Sequence, residues 1–195
     1  MNTDFQTMTN YEATPSTPFR SKGQALRFEL CDFWEWAYHD LLTNTVRGVL
    51  AEFIVKMALG DNSDSRIAWD AYDLESEGLK VEVKSASYLQ SWEQEKLSDI
   101  KFDIAPKEHA AKKGEKSYVV KRHADVYVFC LLQHKELKTV NPLNMDQWTF
   151  YVVPSSVLDE KVGAQKSIVL RPLKDLGAVE CSFDDLRKEL SKMRG

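Results

Sequence analysis

Cysteine is scarce: Cys31, Cys130 and Cys181 are the three in 195 residues, they form no C-x-x-C pair, and they stand inside or beside apolar segments. This argues against a disulfide framework or a cysteine-built zinc site and for a reducing compartment. The four histidines, His39, His109, His123 and His134, show no metal-ligand spacing with them and read as structural or exposed. Long apolar runs are also missing. Glu52 and Lys56 interrupt the stretch around Phe53, and VYVFCLL falls far short of the roughly 20 residues of a membrane span. The N-terminus has no basic segment leading into a hydrophobic core, so a secretory signal is not expected. These absences lead to the expectation of a cytoplasmic protein with no membrane partner. There is no glycine-rich phosphate loop and no internal repeat, and no histidine stands at a telling spacing from Ser85 or Ser87 to make either a nucleophile. The net charge of −4 argues against a generally basic nucleic-acid binder.

What is present suits one well-packed soluble domain, with 43% hydrophobic and 29% charged residues. Residues 1–22 are rich in Thr, Ser, Asn and Pro and read as a flexible tail, with the domain occupying 23–195. Leu26, Leu30, Phe33, Trp34, Ala37 and Leu41 recur at helical spacing, which predicts a helix over Gln24 to Leu42 with its aromatics in the core. A second helix is predicted from a cap at Asn44 or Thr45 to Leu59, ended by Gly60. Its main apolar stripe is Leu50, Phe53, Ile54 and Met57, and it is apolar nearly all round. ADVYVFCLL and QWTFYVVP suit central strands covered on both faces, and SIVLRPL suits a further strand or edge. Ser182, with Asp185 three residues on, marks the start of a C-terminal helix.

The chemistry-bearing segment is YDLESEGLKVEVKS, from Tyr72 to Ser85. Alternation along a strand puts Glu82 and Lys84 on one face and Val81 and Val83 on the other. A turn over Glu75 to Gly78 would set Leu74 opposite Leu79 and Asp73 opposite Lys80, with Asp73 on the Glu82 and Lys84 face. Cross-strand neighbours lie roughly 5 to 8 Å apart, so both carboxylates could reach one Mg²⁺ or Mn²⁺ at about 2.1 Å. Hard oxygen donors select those ions over zinc. A one-residue slip would bring Asp70 opposite Glu82 instead, so Asp70 is an alternative first ligand. Taken alone, an E-x-K triplet is more often a solvent-facing charge pair. The apolar setting favours the functional reading.

Asp73, Glu82 and Lys84 resemble the motif of the PD-(D/E)xK nuclease superfamily, with Tyr72 standing where that motif has proline. Glu52, in RGVLAEFIVKMALG, matches the helical glutamate that many members carry. Over most of residues 31 to 170 the chain is similar to an uncharacterised group of bacterial restriction-endonuclease-like proteins. The resemblance implies an α/β fold of restriction-endonuclease type, a central mixed β-sheet flanked by helices, with the active site on a β-hairpin. It implies Mg²⁺-dependent hydrolysis of DNA phosphodiesters, with Asp73, Glu82 and the Val83 carbonyl holding the metal, Lys84 orienting water and Glu52 supporting the site.

The basic run from Lys107 to Arg122, which includes Lys112, Lys113 and Lys116, is a candidate substrate contact, although a solvated loop explains such a run as readily. Gln90 is a further candidate, against the plainer reading of a buried amide that satisfies backbone groups. RNA remains open beside DNA, because the chemistry acts on phosphate. So does a homodimer for cutting both strands. The rival reading is a catalytically silent nuclease-fold module that binds nucleic acid or a protein partner.

Overall fold

The computed structural model describes residues 13–60, 71–110 and 118–194. They divide into two compact units, one ending at Asp40 and one beginning at Leu41. In the first, strands β1 (Pro18–Ser21) and β2 (Gln24–Glu29) form an antiparallel hairpin, followed by helix α1 (Leu30–Tyr38). The hairpin turns on Lys22 and Gly23, with φ of 49° and 82°. Paired positive φ values give the twist that two-residue hairpin loops need. This corrects the helix predicted over Gln24 to Leu42: its first third is strand. Leu26 and Phe28 alternate at least as well as Leu26 and Leu30 follow helical spacing, and pairing with β1 decides the matter. The aromatics expected in the core are also misplaced, since Phe33, Trp34, Trp36 and Tyr38 are all exposed.

The second unit opens with α2 (Asn44–Leu59), capped at Gly60, whose φ of 68° lets its N–H reach the Lys56 and Met57 carbonyls. Its N-cap is Thr43, not Asn44 or Thr45. The buried face runs through Arg47, Ala51, Ile54, Val55, Ala58 and Leu59. Phe53 and Met57 are exposed, so the apolar stripe is rotated from the predicted one.

Then follow β3 (Leu74–Ser76), β4 (Leu79–Ser87), β5 (Lys101–Asp103), β6 (Lys107–Ala110), β7 (Tyr118–Lys121) and β8 (Val126–Leu132). The chain continues through β9 (Trp148–Pro154), α3 (Ser155–Val162), β10 (Ser167–Val169), α4 (Leu170–Asp175), β11 (Val179–Cys181) and α5 (Phe183–Ser191). Five strands form a mixed sheet in the order β11-β9-β8-β4-β3, in which β4 and β8 are parallel and the other pairs antiparallel. The fold is therefore α/β with a central mixed sheet and helices. Smaller pairs, β6 with β7 and β5 with β10, lie outside that sheet.

Burial on both faces explains why β8 and β9 are continuous apolar runs. Val81, Val83, Val128 and Phe150 pack with Ile54 and Val55 of α2 and Leu186 and Leu190 of α5. On the other face Tyr127, Phe129, Tyr151 and Val153 pack with Phe102, Ile104, Leu158 and Ile168. SIVLRPL is strand only as far as Val169, after which Leu170 begins α4. Pro172 sits in that helix's first turn, where no intrahelical N–H is needed. Ser182 caps α5 by accepting from the Asp185 N–H at 3.3 Å. No helix among the described residues is long and apolar enough to cross a membrane.

Candidate active site

The site grows from the β3–β4 hairpin. Its turn is tighter than the one expected from sequence: Ser76 pairs with Leu79, leaving only Glu77 and Gly78 in the loop, with φ of 49° and 81°. Leu74 therefore stands opposite Val81, and not opposite Leu79. The correction amounts to two residues, so every side chain keeps its face. Asp73 consequently comes beside Glu82, where the longer turn would have placed it opposite Lys80.

Regular pairing stops at Leu74. Asp73 donates its N–H to the Val81 carbonyl at 3.1 Å, and its Oδ2 accepts the Val83 N–H at 2.7 Å. The carboxylate thus takes the place of a strand partner for β4 and is held against the backbone between Glu82 and Lys84. In an extended strand the N–H and C=O of one residue point to the same side. The Val83 carbonyl is thereby directed towards Asp73, away from β8.

Glu82 is 1% exposed, so its charge requires close compensation. It receives two ammonium groups on one oxygen. Oε1 accepts from Lys84 Nζ at 2.6 Å and from Lys107 Nζ at 2.5 Å. Lys84 stands beside Phe129 in the parallel register of β4 and β8 and is mostly buried, whereas the Lys107 side chain is 46% exposed. Tyr127 lies beside Glu82 on β8, and its hydroxyl is held protonated by burial and then by the Glu82 charge.

Asp73 has its pKa pushed up to about 6. Burial is the largest cause; the Glu82 and Glu52 charges add to it, and the Val83 hydrogen bond and Lys84 oppose it. Glu52, on α2, thus acts electrostatically on Asp73 from the helix that covers the Val81 and Val83 face. Lys107 is also shifted upward, which for a cation favours the charged form. Burial works against its charge, but the hydrogen bond and charge of Glu82, with Asp73 and Asp103, raise its pKa on balance.

Not every sequence candidate joins this cluster. Gln90 is buried, and both ends of its amide are committed: Nε2 donates to the Ser87 carbonyl at 2.9 Å and to Ser98 Oγ at 3.2 Å, and Oε1 accepts from Arg47 at 3.2 Å. Asp70, Lys112, Lys113 and Lys116 lie outside the described residues.

Two residues carry roles that the sequence did not signal. Lys107 is separated from Glu82 by 25 positions, and membership in a basic run gave no reason to single it out. Arg47 is 4% exposed and donates to Ser85 Oγ, Gln90 Oε1, Asn44 Oδ1 and the Leu42 carbonyl. All four are neutral, and burial lowers its pKa to about 10. A lone arginine near the start of an apolar helix is the only hint the sequence offers.

Among the described residues no group of three or more His, Cys, Asp and Glu side chains is placed to hold a metal ion. The oxygen donors available here are the Asp73 and Glu82 carboxylates, whose charges act on each other, and the Val83 carbonyl. Such a set is hard in character. It suits an ion that takes one or two carboxylates and completes its shell with water and phosphate oxygens, as Mg²⁺ does.

No curated protein matches this chain. The profile of the family described as bacteriophage T4 endonuclease IV matches residues 30–171, well over half of the sequence and the whole of the Asp73, Glu82, Lys84 and Lys107 cluster. The chain belongs to the bacteriophage T4 endonuclease IV family, a family of nucleases.

Proposed function

We propose that this protein is a metal-dependent endonuclease that hydrolyses DNA phosphodiester bonds, with a PD-(D/E)xK site on a restriction-endonuclease-like fold. The observation that carries the reading is the meeting of Asp73, Glu82 and Lys84 on one face of the β3–β4 hairpin, with Glu82 fully buried and Asp73 pinned to the Val83 N–H. Family membership supplies the nuclease class, and the name of the family's endonuclease supports a nucleic-acid substrate.

Asp73, Glu82 and the Val83 carbonyl would hold Mg²⁺ or Mn²⁺. When bound, the ion polarises a phosphoryl oxygen and lowers the pKa of a water molecule. Lys84, anchored by Glu82, donates hydrogen bonds to the attacking water and to a non-bridging phosphate oxygen, where negative charge grows as the new P–O bond forms and the ester P–O bond breaks. Glu52 adds negative charge near Asp73, which strengthens the pull of the site on a cation. The largely buried Lys84 is pre-oriented by the same carboxylate, so little reorganisation is needed when substrate arrives.

The test is incubation with supercoiled, linear and single-stranded DNA and with RNA, in Mg²⁺, Mn²⁺ or chelator, beside Lys84→Ala. Metal-dependent products that disappear in the variant are expected. Equal cleavage by Lys84→Ala would refute the assignment. Binding by the native protein with no product in any metal would point to the silent module instead.

A further inference from the structure

We propose that Lys107 is a phosphate-binding residue of the site, carried in by the β6–β7 hairpin, and that its ammonium exchanges Glu82 for a substrate phosphate. The inference rests on the reading of the Glu82 site just given and adds to it a second cation from another part of the chain.

The argument starts from Glu82 Oε1, which accepts from two ammonium groups at once, Lys84 at 2.6 Å and Lys107 at 2.5 Å. One buried carboxylate needs only one full positive charge for compensation, so the second is held by the wider acidic cluster of Glu82, Asp73 and Asp103 and not by Glu82 alone. The two lysines differ in access. The Lys84 side chain is 17% exposed and runs along β4 itself; that of Lys107 is 46% exposed and enters from outside the central sheet. The partner that can leave is therefore Lys107, whose stem already lies towards solvent.

Its backbone does not need to move for this. Lys107 is paired with Lys121 across the hairpin, and its carbonyl oxygen is 3.0 Å from His123 Nε2. Those contacts fix the strand while leaving the long side chain free to swing. The Lys107–Lys121 pair also places two cations directly opposite each other, with no cross-strand carboxylate between them. Like charges facing across a strand pair are unfavourable in isolation and become favourable beside a polyanion. When Asp73 and Glu82 hold a divalent cation, Glu82 has a competing positive partner, and the cationic edge formed by Lys107 and Lys121 is left facing the incoming phosphodiester. Lys84 acts at the bond being cut; Lys107 holds the strand that carries it.

The experiment uses the full chain and a short fluorescein-labelled DNA oligonucleotide. Binding is followed by anisotropy in Ca²⁺ across a salt series, before product forms, and steady-state cleavage is followed in Mg²⁺. Lys107→Ala is expected to weaken binding about tenfold and to reduce the slope of log affinity against log salt by about one, as loss of a single phosphate contact requires. KM should rise more than kcat falls, and Lys107→Arg should restore most of the affinity. Lys101→Ala serves as a control for loss of an exposed lysine. Native affinity and salt slope in Lys107→Ala, in protein with an unchanged thermal midpoint, would overturn the proposal. A Lys84→Ala variant that still cuts would overturn the underlying site instead, so the two failures are distinguishable.

Discussion

Strand β4 anchors one buried ionic knot on each face, and the two are built on opposite principles. On the α2 face, Arg47 reaches Ser85, Gln90, Asn44 and the Leu42 carbonyl, all of them neutral, and its charge is disfavoured by burial. On the other face, Glu82 holds Lys84 and Lys107, and carboxylate charge stabilises the Lys107 ammonium. The first knot is made of neutral dipoles from the start of α2 and its approach and from β4 and the turn after it, so it ties those parts of the chain together. The second is made of full charges that share one acceptor atom, one of them on the half-exposed side chain of Lys107, which is the partner proposed to exchange. A buried charge is thus not a site by itself. What marks a site is a partner that can be replaced.

The comparison breaks most sharply at Lys84. Lys84→Ala is expected to lower single-turnover cleavage on the order of 100- to 1,000-fold, with little change in unfolding free energy, because the lost interaction acts on developing charge. Arg47→Ala should do the reverse. Removing a donor to four acceptors, three of them on buried or half-buried residues, is expected to cost about 3 kcal/mol in urea denaturation while leaving cleavage per folded molecule near native. If Arg47→Ala abolished cleavage without loss of stability, the division between the two knots would fail.

Asp73 sharpens the contrast through pH. Its pKa rises from 3.8 to about 6 on folding, so between those values the native state binds more protons than the unfolded one. Its contribution to stability therefore falls as pH rises through that window. In chelator at about pH 7.5, Asp73→Asn should be more stable than the native protein by about 1–2 kcal/mol, and the gap should close near pH 4. Mg²⁺ should raise the thermal midpoint of the native protein and leave that of Asp73→Asn nearly unmoved. Equal denaturation curves at both pH values would remove the claim that burial strains this carboxylate.

The smallest effect concerns the turn. Gly78 has a φ of 81° and open space around its Cβ position, so Gly78→Ala is expected to cost about 1 kcal/mol from backbone strain alone, read from thermal unfolding. A much larger loss of cleavage than of stability would show that the two-residue turn sets the register of Asp73 against Glu82.

The hairpin was legible in the sequence because a strand periodicity and a turn signal agree there. Alternation put Glu82 and Lys84 together, and Gly78 marked the turn; only the turn length was misread, by an even number that spared the faces. Where two periods compete, as in Gln24 to Leu42, the sequence favoured a helix and strand pairing prevailed over Gln24–Glu29. The register of β8 against β4, which lays Tyr127 beside Glu82, and the arrival of Lys107 depended on contacts between segments far apart in the chain. No local pattern encodes those distances.

By itself the sequence determined which residues could be chemical: an acid before a glycine turn, a glutamate and a lysine two apart on a strand of valines, and apolar runs to bury them. These follow from side-chain alternation and turn preference, which act over a few residues. Tertiary structure alone decided that Glu82 would be fully enclosed, that two lysines would share one of its oxygens, and that Arg47 would be spent on neutral partners. Burial and charge pairing are properties of assembled surfaces, set only when β4, β8, α2 and the β6–β7 hairpin have packed.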